Sequence, residues 1–81
     1  MYDKYIGRKL AVHVTERKTA FGTVYKHYDL DQTAEMQVAE WFPGRDVLVR
    51  VPGRFYPALA KPNRINVRIN AAGVITDIYT G

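Results

Sequence analysis

The sequence contains no cysteine and no serine. The absence of cysteine excludes disulfides, thiolate metal ligands and thiol redox chemistry. The absence of both residues also removes the commonest side-chain nucleophiles of covalent catalysis. No stretch approaches the roughly 20 apolar residues that a membrane span needs. We therefore expect a protein that binds a macromolecular partner, not an enzyme, with no cofactor, no metal site and no membrane association.

What the sequence does contain is typical of one small globular domain. The chain has 81 residues, of which 47% are hydrophobic and 25% are charged. These values are ordinary for a folded protein, and the length is enough for a modest core. Asp3, Lys4 and Arg8 interrupt the start of the chain, so no signal peptide is indicated. We expect a cytoplasmic protein, secreted only if a leader has been removed.

The net charge of +4 arises in the second half of the chain. Residues 1–40 carry six basic and six acidic side chains, whereas residues 41–81 carry six basic and two acidic ones. The basic residues of the second half are Arg45, Arg50, Arg54, Lys61, Arg64 and Arg68. Such a surplus fits a solvated face, an acidic partner, a nucleic acid, or arginines that hydrogen-bond a loop. Composition alone does not choose between them.

Hydrophobic periodicity predicts an N-terminal β-hairpin followed by a helix. Residues 9–14 and 23–30 alternate as strands do, and the polar segment 15–22 between them is typical of a turn. The helix can be capped by Asp29 or by Asp31, and the Pro43-Gly44 pair ends it. Its apolar face comprises Leu30, Ala34, Val38 and Trp41 or Phe42.

Three further strands complete the predicted fold, over residues 46–51, 64–70 and 74–79. We expect a single α+β domain over residues 1–81, with one helix packed on a mixed or antiparallel sheet of about five strands. Residues 1–28 form a β-hairpin extension, and residues 29–81 form the core.

The segment 54–63 is predicted to be an exposed, extended loop. Pro57 and Pro62 each fix their own φ and favour an extended conformation in the residue before them. A segment held in this way loses little conformational entropy when it docks in a peptide-binding cleft. In the next strand, alternation places Arg64, Asn66 and Arg68 opposite the core-facing residues. Their donors could brace loop carbonyls there, or they could be three solvated polar positions.

The sequence RINVRINAAGVITDIYTG, residues 64–81, resembles the C-terminal signature of a family of small bacterial and fungal peptidase inhibitors. That signature contains Arg-Leu-Asn-Val, then Gly-x-Ile, then a final Cys-Gly. The matching segments are Arg64-Ile65-Asn66-Val67, Gly73-Val74-Ile75 and, apart from the cysteine, Thr80-Gly81. Residues 30–81 are also similar to the potato inhibitor I family, which includes eglin. In that family a helix, a proline, a strand, a glycine and a protease-binding loop precede an arginine-containing strand.

The resemblance implies a standard-mechanism inhibitor, whose rigid loop enters a serine protease as a substrate would and is turned over very slowly. It implies that Ala58 occupies the primary specificity pocket and that the scissile-type bond joins Ala58 to Leu59. A small residue after a proline suits an elastase-like or subtilisin-like pocket. The implied protease-binding residues are Tyr56, Pro57, Ala58, Leu59 and Ala60, and the implied bracing residues are Arg64, Asn66 and Arg68.

The chain departs from the potato inhibitor pattern at two positions beside the primary residue. Pro57 and Leu59 stand where that family has a threonine and an acidic residue, whose side chains accept hydrogen bonds from the bracing arginines. In this chain the bracing would have to reach backbone carbonyls.

Two other classes of function stay open. A small phage-type anti-defence protein could block a host enzyme or nuclease complex through a surface such as the hairpin. A nucleic-acid-binding module could use the arginine-rich half together with the six tyrosines. His13 and His27 lie on adjacent predicted strands, but without a third ligand they do not indicate a metal site. An exposed hairpin edge permits either a monomer or a homodimer.

Overall fold

The computed structural model describes residues 2–56 and 61–81, and its one α-helix and five strands confirm the predicted α+β class. A short 3-10 helix over Asp3–Tyr5 comes first. The later elements are β1 (Val12–Lys18), β2 (Val24–Leu30), α1 (Gln32–Trp41), β3 (Val47–Arg50), β4 (Ile65–Ile69) and β5 (Ile75–Thr80). Among the described residues, no helix is long and apolar enough to cross a membrane.

The five strands divide into two sheets. β1 and β2 pair antiparallel as a hairpin, from Val12 opposite Leu30 to Lys18 opposite Val24. The second sheet has the order β3-β4-β5, in which β3 pairs parallel to β4 and β4 pairs antiparallel to β5. The mixed sheet therefore has three strands, and the hairpin is a separate two-stranded antiparallel sheet.

β1 begins and ends later than the sequence predicted, since residues 9–11 lie outside it. Residues 15–18, expected in a turn, continue β1, and the turn itself is closed by a 2.8 Å hydrogen bond from the Thr19 N–H to the Thr23 carbonyl. Every β1 residue after Val12 is exposed, so the hairpin buries neither face strongly. Backbone hydrogen bonds to β2, and not the burial of apolar side chains, extend β1 over residues 15–18. Because these residues are polar, the sequence predicted a turn there.

The core lies between α1 and one face of the three-stranded sheet. Ala34 and Val38 of the helix and its C-cap residue Phe42 recur every four residues, and all three are buried. The Asp31 side chain caps the helix by accepting a 3.0 Å hydrogen bond from the Thr33 N–H, so the second of the two candidate caps is used. The sheet contributes the buried residues Ile65, Val67, Ile69, Ile75 and Ile78, and Val51, directly after β3, is also buried.

The segment before β1 is fastened to the turn between β4 and β5. Leu10 is buried, and its N–H donates to the Gly73 carbonyl at 2.8 Å. Gly73 has a φ of 84°, and a Cβ at this position would lie 2.3 Å from the Leu10 carbonyl oxygen. Only glycine therefore permits both this turn and this close approach.

We expect Gly73→Ala to lower the free energy of unfolding by about 2 kcal/mol or more, because a positive φ alone costs about 1–2 kcal/mol and the new methyl group meets backbone. Gly44→Ala is the matched control, since Gly44 has a φ of 75° with open space around its Cβ position. Urea unfolding of both variants measures the difference. Equal losses would contradict the close approach of Leu10 and Gly73.

Candidate functional site

The candidate site is the connection between β3 and β4, residues 51–64. Because the two strands are parallel, the chain must return from the end of β3 to the start of β4. Most parallel pairs use a helix for this return, but the described parts of this connection, 51–56 and 61–64, contain none. Tyr56 is described, whereas the predicted protease-binding residues Pro57, Ala58, Leu59 and Ala60 lie outside the described residues.

Tyr56 fastens the first half of the connection to β3. Its ring is half-buried against the core. Its hydroxyl accepts a hydrogen bond from the Val51 N–H at 2.8 Å and donates one to the Val49 carbonyl at 3.2 Å. β3 is an edge strand, so these bonds satisfy backbone groups that β4 does not reach. The sequence placed Tyr56 only among the protease-binding residues and did not predict this internal role.

The second half of the connection is fastened to the turn before β3. The Arg45 guanidinium donates to the Asn63 carbonyl from Nε at 3.3 Å and from Nη2 at 3.1 Å. Asp46 lies between two cations, with its Oδ2 3.5 Å from Arg64 Nε and 3.7 Å from Lys61 Nζ. The Arg64 side chain is only 13% exposed, whereas that of Asp46 is 59% exposed, so water screens the ion pair from the carboxylate side. Arg64 therefore fixes the end of the connection, next to the start of β4.

Asn66, predicted as a bracing residue, is buried at the centre of the sheet with 0% exposure. Its Nδ2 donates to the Gly81 carbonyl at 3.0 Å and to the Tyr79 carbonyl at 3.4 Å. Its Oδ1 accepts a 3.2 Å hydrogen bond from Arg50 Nε. Asn66 therefore joins β3 to the end of the chain, and its polar atoms are satisfied as burial requires.

Arg68 is the exposed member of the predicted bracing set. Its guanidinium carbon lies 5.5 Å from the centre of the Tyr79 ring, and its Nη2 is 3.4 Å from the Tyr79 hydroxyl. Arg50 lies beside it, with its guanidinium carbon 5.2 Å from the Tyr56 ring. Arg50 and Tyr79 were not predicted to belong to this site. Alternation gives each strand's faces, but not which strands become neighbours.

The hairpin also contacts the connection, through Arg54. The Arg54 Nη2 donates to Asp29 Oδ1 at 2.5 Å and to the Tyr28 carbonyl at 3.3 Å. His27 Nε2 lies 3.3 Å from the other Asp29 oxygen. The hydrogen bond from Arg54, with a smaller contribution from His27, lowers the pKa of Asp29 below its ordinary value of 3.8. The hairpin is therefore attached to the protein near the candidate site.

The two histidines each face an aspartate. His13 Nε2 lies 2.6 Å from Asp31 Oδ1, in the same way that His27 lies against Asp29. Thr33, through its side chain and its N–H, and His13 together lower the pKa of Asp31. Within residues 2–56 and 61–81 there is no group of three or more side chains that could hold a metal ion.

Comparison of the chain with protein-family models, with curated proteins and with solved structures found no match in any of the three. The functional argument therefore depends on the geometry of this site and on the residues of the sequence.

We expect Tyr56→Phe to lower the free energy of unfolding by about 1–2 kcal/mol, because the Val49 carbonyl and the Val51 N–H both lose their partner. It should also speed cleavage of the connection by a non-specific protease. Tyr25→Phe, at an exposed hairpin tyrosine, is the matched control and should change neither quantity measurably. Urea unfolding and timed proteolysis give the two readouts. A Tyr56→Phe protein as stable and as resistant as the control would show that the hydroxyl does not fasten the connection.

The lowered pKa of Asp29 makes the stability of the folded protein depend on pH. Its pKa is lowered in the folded protein, so its contribution is complete above the ordinary value of 3.8 and is lost as the pH falls through the lower folded value. We expect Asp29→Asn to be less stable than the wild type at pH 6, with the difference shrinking below pH 3.8. Urea unfolding across this pH range measures it. A difference that does not depend on pH would contradict the Arg54–Asp29 interaction as its source.

Proposed function

We propose that this protein inhibits serine proteases of the elastase or subtilisin type, and that residues 56–60 enter the protease active site. The observation that carries this proposal is the attachment of the β3–β4 connection at both of its ends. Tyr56 attaches one end to β3, and Arg45 and Asp46 attach the other end through Lys61, Asn63 and Arg64.

Attachment at both ends is what a slowly turned-over inhibitor needs. When a protease cuts an ordinary loop, the new ends separate and the products leave. Here the two sets of contacts lie on either side of the bond proposed to meet the catalytic serine, so neither depends on that bond being intact. The cleaved ends would stay close together, which favours re-formation of the bond and delays release. The same contacts reduce the entropy lost when the loop docks.

The residues of the segment indicate the class of protease. Ala58 presents a small side chain, which suits a small or open specificity pocket and gives a trypsin-like pocket no cation to bind. Phe55 precedes the segment and is 88% exposed, although it is a large apolar side chain. In the proposed complex the protease surface covers Phe55 beside the active-site cleft. Contact of this kind is typical of interface positions, where aromatic residues are enriched.

We expect the purified protein to inhibit pancreatic elastase and subtilisin but not trypsin. Ala58→Asp should weaken that inhibition by at least about a hundredfold, because burying an unpaired carboxylate in an apolar pocket costs several kcal/mol. Ala71→Asp is the matched control, since Ala71 is exposed in the turn between β4 and β5. Inhibition constants from steady-state assays with a chromogenic substrate measure both.

Two results would contradict the proposed function. One is the absence of inhibition of either protease by the wild-type protein. The other is equal inhibition by the wild type and by Ala58→Asp, since the contact would then lie elsewhere on the molecule. Loss of inhibition in Ala71→Asp as well would point to a general effect of added negative charge.

A further inference from the structure

Three arginines line one shallow cleft where β3 and β4 end. The cleft has a volume of about 280 Å³ and contains Arg50, Arg54 and Arg68 together with apolar and aromatic side chains that include Pro52 and Tyr56. No carboxylate is among the described residues that line it. Half of the basic side chains of residues 41–81 are therefore gathered at a single place.

Aromatic rings hold two of these arginines in position. Arg50 lies over the Tyr56 ring at 5.2 Å and is 6.0 Å from the centre of the Tyr79 ring. The Arg68 guanidinium carbon lies 5.5 Å from the centre of the Tyr79 ring. Contacts of a guanidinium with a ring orient the cation but do not neutralise it. Both guanidiniums therefore keep their full charge in a fixed arrangement.

The same two arginines have no acidic partner in the described parts of the chain. Within residues 2–56 and 61–81, no ion pair within 4.0 Å is formed by Arg50 or Arg68, although Asp77 is the register partner of Arg68. Arg50 donates from its Nε to Asn66 Oδ1, and within residues 2–56 and 61–81 its two terminal nitrogens have no hydrogen-bond partner. Arg54, by contrast, is paired with Asp29.

We propose that this arginine cleft binds a phosphate-bearing ligand. A guanidinium presents a planar fork of donors that matches the oxygens of phosphate, and such charge-assisted pairs are among the stronger hydrogen bonds. A phosphate has enough acceptor oxygens to engage several guanidiniums at once, whereas one carboxylate offers two oxygens in a single plane. This inference goes beyond protease inhibition and does not depend on it.

The phosphate can come from a small ligand or from single-stranded nucleic acid. Phe55 bears on this choice because it follows Arg54 and is 88% exposed, which leaves a ring face open for a base to stack on. The two sources share the arginine chemistry and differ in their use of Phe55, so one set of titrations separates them.

The test is titration with pyrophosphate by calorimetry and with a fluorescent thymidine oligonucleotide by anisotropy, both at low ionic strength. Arg68→Gln should weaken binding of the probe by about tenfold or more, since a hydrogen bond to a charged group is lost. Arg17→Gln is the matched control, because it removes the same charge from the exposed hairpin and should change binding by less than about twofold. Arg68→Lys keeps the charge but not the fork, so we expect an intermediate loss.

Arg50→Gln is the second variant and should also weaken binding about tenfold. Because Arg50 also bonds Asn66, urea unfolding must first show that Arg50→Gln is folded. If this variant is unfolded, the test depends on Arg68→Gln alone. Binding of pyrophosphate with these losses supports a small phosphate ligand. Tighter oligonucleotide binding that Phe55→Ala reduces supports nucleic acid as the source.

Two results would overturn the proposal. The first is no binding of either probe at low ionic strength. The second is an equal loss in Arg17→Gln and Arg68→Gln, which would show attraction by net charge and no defined cleft. Neither result bears on inhibition of elastase or subtilisin, so failure here is distinguishable from failure of the proposed function.

Discussion

The parallel pairing of β3 with β4 is the constraint on which the rest of the structure depends. A parallel pair cannot be closed by a tight turn, so residues 51–64 must carry the chain back along the sheet. A connection without a helix in its described parts leaves backbone groups at the edge of β3 that need partners. The Tyr56 hydroxyl is the partner of two of these groups, and Asn66 Nδ2 donates to the Gly81 carbonyl. The attached connection follows from the topology of the sheet.

Local patterns predicted the elements well and their partners poorly. The spacing of Ala34 and Val38 identified the helix, and the alternation of Ile65, Val67 and Ile69 identified β4, because each pattern reflects burial in a common core. β1 was predicted over residues 9–14 but lies over Val12–Lys18, because the hairpin buries little and its pattern carries no such signal. The division into two sheets and the neighbours of Arg50 depend on contacts between distant segments, which local periodicity does not encode.

The basic residues of the second half of the chain have different roles, although composition presents them as one surplus. Arg45 and Arg64 hold the connection, and Arg54 joins it to the hairpin through Asp29. Arg50 and Arg68 lie on tyrosine rings and keep their charge. Asn66, predicted as a bracing residue, is buried, and its described partners are Arg50 and the carbonyls of Tyr79 and Gly81. The candidate protease-binding loop and the arginine cleft are thus adjacent, and Tyr56 belongs to both.

The most direct test of the central claim is whether the cleaved connection can be rejoined. Protein cut between Ala58 and Leu59 would be incubated with a catalytic amount of subtilisin, and the fraction of intact chain followed by mass spectrometry from both the intact and the cleaved starting material. If the contacts of Tyr56 and Arg64 hold the two ends in place, both mixtures should converge on the same ratio of intact to cleaved chain. Complete hydrolysis from either start, with separation of the fragments, would contradict the account.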